Sequence, residues 1–343
     1  MRVALIGCGG VAMERHLPAL RALPGVTLVG VADSVSERAT NAAQRFGIRA
    51  FSDYRSLLAE SGADVVAVCV SAQAHREIGL AVLQTGKHLF IEKPLALSRE
   101  DAEALVRGAE GASGRAAVGF NLRAHRLVRK ARDVIRSGQL GTLEVVRSTL
   151  TSGVRFGAGT PPWRRNRQQG GGAFFEMAVH HFDLWRFLFD AEIANVRSIN
   201  KTGDWMDDAA AIAARLSNGA LATLVLSQST RAVNEIEILG RKGHLRLDNY
   251  RFDGLEVIPS HVYPGSIAYR LKGAAASLGA ALEAWPIIRQ GGDWAASYRK
   301  EWELFLDAIH TGGPVPANLE DGLLAVDAAL RAVDDADTES KLV

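Results

Sequence analysis

The chain has 343 residues, of which 48% are apolar and 23% charged, and its formal net charge is +2. Such a composition excludes a largely disordered chain, and the near-neutral balance gives no electrostatic basis for nucleic acid as the main partner. At about 150 residues per domain the length points to two domains, and no run approaches the roughly 18 consecutive apolar residues of a membrane span.

Two cysteines, Cys8 and Cys69, are too few for a zinc cluster or a disulfide framework and fit a reducing compartment. Leu5-Ile6-Gly7-Cys8 imitates a lipoprotein cleavage site, but seven residues ahead of the cysteine are too few for a charged segment plus an apolar one. The expectation is a soluble cytoplasmic protein with no membrane partner.

The first half alternates strand and helix patterns. Apolar runs of strand length stand at Val3–Ile6, Thr27–Ala32, Val65–Val70 and His88–Ile91, separated by stretches in which apolar residues recur with helical spacing. This alternation predicts a doubly wound parallel sheet covered by helices. Gly25, Gly47, Gly62 and Gly86 each stand before a strand, where a residue tolerant of positive φ ends a helix.

Past residue 120 the pattern changes. A basic helix is predicted over Ala124–Arg136, and its Arg126, Arg129, Lys130 and Arg132 read as a solvated face. A strand follows at Leu143–Leu150. Ala209–Leu216 and Ala220–Leu226 flank Asn218-Gly219, and Glu235–Leu239 and His244–Leu247 flank Gly240–Gly243, so two antiparallel hairpins are expected. Lys300–His310 and Glu320–Val333 have helical spacing. The division expected is an N-terminal domain over residues 1–120 and an α/β domain over 121–343 with a large, open, mostly antiparallel sheet.

Three segments carry chemistry. Gly7-Cys8-Gly9-Gly10-Val11-Ala12 places a G-x-G-x-x-A pattern directly after a strand and before a helix. Gly7 permits the tight turn, Gly9 lets the backbone approach a pyrophosphate, and Ala12 allows close packing of helix on strand. Asp33 ends the second strand, 21 residues after Ala12, where a carboxylate bonds ribose hydroxyls and repels a 2′-phosphate; NAD is therefore favoured over NADP. Glu92-Lys93-Pro94 follows a later strand, at the end where parallel sheets bind ligands, and a lysine there is suited to proton transfer, with a surface ion pair of Glu92 and Lys93 as the structural alternative.

The third segment is Gly170–Asp183. If it is helical throughout, Glu176, His180 and Asp183 share one face inside an otherwise apolar run, which suggests a face turned toward a cleft. A core histidine bonded to Asp183 is the structural alternative. A metal site is disfavoured because the adjacent His180 and His181 point to different sides of a helix. Just before this segment, Trp163 is placed to stack on a sugar ring, and Arg164, Arg165 and Arg167 read as an exposed loop or as contacts to an acidic substrate.

Together these residues resemble the Gfo/Idh/MocA oxidoreductase family. The resemblance runs from the glycine loop with His16-Leu17-Pro18 through Asp33, His75, Gly86–Pro94, Gly119–Arg123 and Ser137–Gly141 to Gly170–Asp183 and Glu320-Asp321-Gly322. It implies an N-terminal Rossmann domain, a second domain used for homodimer or homotetramer contacts through its sheet, and Lys93 with His180 as the catalytic pair, Glu176 beside them. It implies a cis Lys93-Pro94 bond. Cofactor contacts are expected from Gly7, Gly9, Gly10, Val11, Ala12, Asp33, Ser71, His75, Glu92 and Lys93, and substrate contacts from Lys93, Arg123, Trp163, Arg165, Glu176 and His180.

Two positions depart from the family pattern. Glu176 stands where Asp is usual, and Val70-Ser71-Ala72 replaces Thr-Pro-Asn ahead of His75. The activity implied is NAD-dependent oxidation or reduction at a secondary alcohol or ketone carbon of a sugar, cyclitol or sugar derivative. An NAD-assisted glycosidase and a non-catalytic dinucleotide sensor are the alternatives.

Overall fold

The computed structural model describes residues 1–153, 160–263, 266–289 and 291–339. The chain divides into two compact units. One comprises Met1–Asn121, Gln168–Gly170 and Tyr298–Asp327; the other comprises Leu122–Arg167, Gly171–Ser297 and Ala328–Val343.

The first unit is built on six parallel strands, β1 (Arg2–Ile6), β2 (Thr27–Ala32), β3 (Arg49–Phe51), β4 (Val65–Val68), β5 (His88–Glu92) and β6 (Ala116–Gly119). Their order is β3-β2-β1-β4-β5-β6, that of a dinucleotide-binding sheet. The side chains of β4 are buried without exception, as are those of β1 after Arg2, which is why these strands read as unbroken apolar runs. Between them run α1 (Leu17–Arg21), α2 (Ser36–Phe46), α3 (Tyr54–Glu60), α4 (His75–Gln84) and α5 (Arg99–Glu110). Local chemistry sets their ends. Asp53 caps α3 by accepting from the amides of Arg55 and Ser56, Ser98 caps α5 through the amide of Asp101, and Gly47 ends α2 at φ +68°.

In the second unit seven strands form one sheet, β7 (Leu143–Thr151), β8 (Ile193–Lys201), β9 (Ala209–Leu216), β10 (Leu221–Ser227), β11 (Val233–Gly240), β12 (Gly243–Asp248) and β13 (Leu255–Pro259), in the order β13-β12-β11-β7-β10-β9-β8. Only β7 and β10 pair in parallel. Burial alternates along β9 and β10, so one face packs inward while the other carries Ile199, Leu221 and Val225 at 62, 45 and 51% exposure. The helices named in this unit are α6 (Arg126–Arg136), α7 (Val179–Phe189) and α8 (Ile267–Ile288). The indole of Trp185 on α7 donates to Ser148 Oγ of β7 at 3.0 Å and ties that helix to the sheet.

The basic face of α6 is not simply solvated. Arg126 forms a two-pronged bridge to Asp293, Lys130 reaches Glu283, and Arg132 lies over the Phe187 ring while bonding Asp190. These acids lie 58 to 167 residues away in sequence, beyond the reach of any local pattern. No described helix is long and apolar enough to cross a membrane.

Two buried histidines in this unit make it sensitive to acid. Burial pushes His125 down to about 4 and His181 down to about 3, so both are neutral in the fold. The unfolded chain takes up their protons below about pH 6.5, whereas the folded chain does so only near the depressed values. Their stabilisation is therefore full above about pH 6.5 and is lost as pH falls toward 3 to 4, with a slope of about 1.4 kcal/mol per pH unit for each histidine. Urea titrations between pH 7 and 4 should show this decline, and a His181→Asn variant should remove about half of its slope.

Candidate active site

Register brings three loops to one edge of the parallel sheet. Ile6 of β1 pairs with Val68 of β4, which pairs with Ile91 of β5, so the glycine loop, Cys69–Ser71 and Glu92-Lys93 emerge side by side at the carboxyl ends of the strands. Gly7 turns at φ +94°, and a side chain there would strike the carbonyl oxygen of Cys69. A Cβ at Gly9 or Gly10 would meet nothing within 4 Å. The loop thus faces open space ahead of the helical turn that begins at Ala12, the cradle a pyrophosphate requires. Asp33 is held from below by the amides of Cys8 at 2.7 Å and Val35 at 2.8 Å, so its carboxylate is fixed beside that loop.

Behind β5 a chain of hydrogen bonds leads to Lys93. The Trp302 indole donates to His16 Nδ1 at 3.0 Å, and His16 Nε2 lies 2.7 Å from Glu92 Oε1. An indole N–H can only donate, so His16 Nδ1 carries a lone pair and its proton sits on Nε2, pointing at the carboxylate. Glu92 Oε2 in turn accepts from the Lys93 amide at 3.0 Å. Burial acts to raise the Glu92 carboxyl, but the His16 bond and the Lys93 charge outweigh it and hold it below the usual carboxylate range. Glu92 and His16 are 7% and 0% exposed, so they position Lys93 from beneath. The Lys93-Pro94 bond is cis.

His75 is also 1% exposed. Its two ring nitrogens lie 3.2 Å from the carbonyls of Leu95 and Val70, tying the loop after β5 to the loop after β4, while Ser71 beside it is exposed. Both cysteines are unbridged, and burial pushes the Cys8 thiol up to about 12 and Cys69 well above its ordinary value, which leaves them unreactive.

In the second unit the glycine run seats a loop against the start of a helix. A Cβ at Gly171 would collide with the Arg164 carbonyl, and only glycine permits that approach. Residues Ala173–Ala178 form a wide π-helical turn that passes directly into α7. Glu176 stands in that turn, ahead of His180 and Asp183 in α7. Glu176 and His180 are half-buried, whereas Asp183 is 1% exposed and binds the Arg123 guanidinium at 2.8 Å (Oδ2 to Nε) and 2.5 Å (Oδ1 to Nη2). Asp183 is therefore a buried partner of Arg123.

Glu176 instead meets Arg164, whose Nη2 lies 3.0 Å from its Oε1. The added methylene relative to aspartate gives the carboxylate this reach. Arg165 is exposed and lies over the Trp205 ring, and Trp163 is 37% exposed. Arg167 is locked by Asp207 and Asp337, which raise its basicity, so it belongs to the fold and not to an exposed loop. In the sequence His16 stands out only as part of a motif, and Trp302 only as an apolar helix position. Among the described residues no three His, Cys, Asp or Glu side chains are disposed to hold a metal ion.

Comparison with known proteins agrees with this geometry. Residues 1–120 match a family described as oxidoreductases with an NAD-binding Rossmann fold, and residues 128–246 match the C-terminal domain described for the same family. The myo-inositol 2-dehydrogenase of Thermotoga maritima is 29% identical over 265 residues, 73% of this chain and 76% of that protein. The D-apiose dehydrogenase of Paraburkholderia graminis is 30% identical over 260 residues, 73% of this chain and 68% of that protein. A levoglucosan dehydrogenase solved with NADH and levoglucosan superposes with a TM-score of 0.85 at 26% identity, covering 99% of this chain and 98% of its own.

Proposed function

The chain belongs to the Gfo/Idh/MocA oxidoreductase family, and from that premise we propose that it is an NAD-dependent dehydrogenase acting on a secondary alcohol of a sugar, cyclitol or sugar derivative. When bound, NAD supplies the hydride acceptor at the nicotinamide ring. The remaining work falls to the protein. A sugar hydroxyl does not ionise unaided near neutral pH, so its proton must be taken by a positioned base as the carbon is oxidised.

We assign that step to Lys93 and His180. The ionised Glu92 beneath Lys93 suits its ammonium to steadying the developing negative charge on the substrate oxygen, which leaves His180 to take the proton. Glu176, braced by Arg164, orients the substrate or His180, and Trp163 offers a face for a sugar ring. Gly7, Gly9, Gly10, Val11 and Ala12 form the pyrophosphate cradle, Asp33 takes the adenosine ribose, and Ser71 and Lys93 border the nicotinamide. His75, Glu92 and Arg123 act through the groups they hold. Residues 1–120, with Tyr298–Asp327 in the same unit, serve as the nucleotide-binding domain and the rest of 121–343 as the domain for substrate and oligomer contacts, in a cytoplasmic homodimer or homotetramer joined through the open face of the seven-stranded sheet. Exposed Ile199, Leu221 and Val225 support that use of the sheet.

One observation carries this reading: Asp33 fixed beside an open glycine cradle, on the same sheet edge from which Lys93 emerges. The test is an NADH absorbance assay over a panel of inositols, aldoses, anhydrosugars and uronic acids. NAD should be preferred to NADP by more than about tenfold. In Asp33→Asn the KM for NAD should rise about 10- to 100-fold, the worth of a charge-assisted hydrogen bond, with that for NADP little changed. Oxidation of none of these compounds, or equal use of NADP by the unmodified protein, would refute it.

A further inference from the structure

Helix α8 lies on the second unit with its leucines and Trp285 turned outward. Ala284 is fully buried, the Tyr269 hydroxyl donates to Glu256 of β13 at 3.0 Å, and Glu283 receives Lys130 of α6 at 2.6 Å. At 100° per residue, Tyr269, Gly273, Ala280 and Ala284 fall on that inward side. The opposite side carries Ile267, Leu271, Leu278, Leu282 and Trp285, which are 76, 68, 73, 81 and 60% exposed. A surface helix of a monomer arranges these the other way, with its large apolar residues against the core. A contiguous apolar stripe of this size on an otherwise soluble surface marks a contact site.

The spacing of the stripe identifies the occupant. Leu278 is its centre; Ala274 and Leu282 stand four residues to either side, Leu271 and Trp285 seven, and Ile267 and Ile288 eleven and ten. All but Ile288 point within about 40° of Leu278 on an α-helical wheel. Large apolar residues at equal distances from a central leucine, Leu271 and Trp285, let a second copy running antiparallel set one against the other about a two-fold axis through that leucine. In that pairing Leu278 meets Leu278, Leu271 meets Trp285, and the exposed small residues Ala274, Ala275 and Gly279 leave hollows for the opposing leucines. At these exposures the large side chains offer on the order of 800 Å² per copy, about one side of a standard protein interface. A lipid surface fits less well. A helix lying in a membrane interface keeps a charged face toward water, and here the opposite face is packed on the fold.

We propose that α8 is a self-association surface through which two copies of this chain pair antiparallel about Leu278. Its anchor Glu256 pairs with Arg246 on the outward face of the sheet, so the stripe borders the open sheet face, and the variants below test pairing through α8 apart from pairing through Ile199, Leu221 and Val225.

The test uses full-length protein at micromolar concentration, with mass measured by light scattering after gel filtration. Leu278→Glu should halve the mass, and Leu282→Glu should do the same, with helix content and NADH affinity unchanged because both positions are exposed. Leu278→Cys should form a disulfide-linked dimer under mild oxidant, since native Cys8 and Cys69 are buried. Leu271→Cys and Trp285→Cys should each remain uncrosslinked alone and crosslink when mixed. Unchanged mass in both glutamate variants, crosslinking of Leu271→Cys with itself, or sedimentation of the wild type with phosphatidylglycerol vesicles that Leu278→Glu abolishes at unchanged mass would each overturn the proposal, the last by assigning the stripe to lipid.

Discussion

Replacement of Lys93 by methionine should lower kcat/KM by about 10²- to 10³-fold, the range over which one preorganised charge-stabilising donor contributes, while the dissociation constant for NADH changes less than about threefold. Methionine keeps the length and much of the bulk of lysine but carries no charge and no proton. The loss should appear in kcat as well as KM, because the ammonium acts on charge that develops only as the alcohol is oxidised. Steady-state NADH formation and a fluorescence titration with NADH measure the two halves. Retention of more than a tenth of the activity would remove Lys93 from the chemistry. The surroundings explain why this lysine and not another holds the position, since Trp302, His16 and Glu92 form a buried chain that ends on its own amide.

Asp183→Asn should destabilise the second unit by about 3–5 kcal/mol, the cost of leaving one member of a buried ion pair without its partner. The side chains of Arg123 and Asp183 are 10% and 1% exposed, so water cannot take over the role of the lost carboxylate. Replacing both members, Arg123→Met with Asp183→Leu, should recover most of the loss, because the desolvation penalty then disappears with the charges. Urea unfolding followed by tryptophan fluorescence measures it. A cost below about 1 kcal/mol for Asp183→Asn, or no recovery in the double variant, would show that this pair does not hold α7 in place.

Much of the fold was legible because its signals are local. Unbroken apolar runs disclosed β1 and β4, and Asn218-Gly219 disclosed the hairpin of β9 and β10. Other elements carried no such mark. β3 is three residues long and begins with Arg49, too short for alternation to register. β8 departs from period two because its pairing with β9 shifts between Ile193 and Asn195, which puts Ile193, Val196 and Ser198 inward and Ile199 outward. α8 carries its large aliphatic residues and Trp285 on the exposed side, so apolar spacing there does not report burial.

The candidate site divides along the same line. The glycine loop, Asp33 and Glu92-Lys93-Pro94 announce themselves through motif and position, whereas the groups that hold them lie far off in the chain. His16 is 76 residues from Glu92 and 286 from Trp302, and Arg123 is 60 from Asp183. Asp183 illustrates a different limit, since helical spacing does not say which member of a polar face turns into the core.

The most direct test of the chemistry assigned to Lys93 and His180 is a double-variant cycle on kcat/KM. Lys93→Met and His180→Ala are each measured alone and then together, with NADH followed over hours so that weak activity is resolved. If the two groups serve one proton transfer, the double variant falls little below the worse single variant. Losses that multiply in full would mean that the two residues act on separate steps, and the shared role given to them here would be wrong.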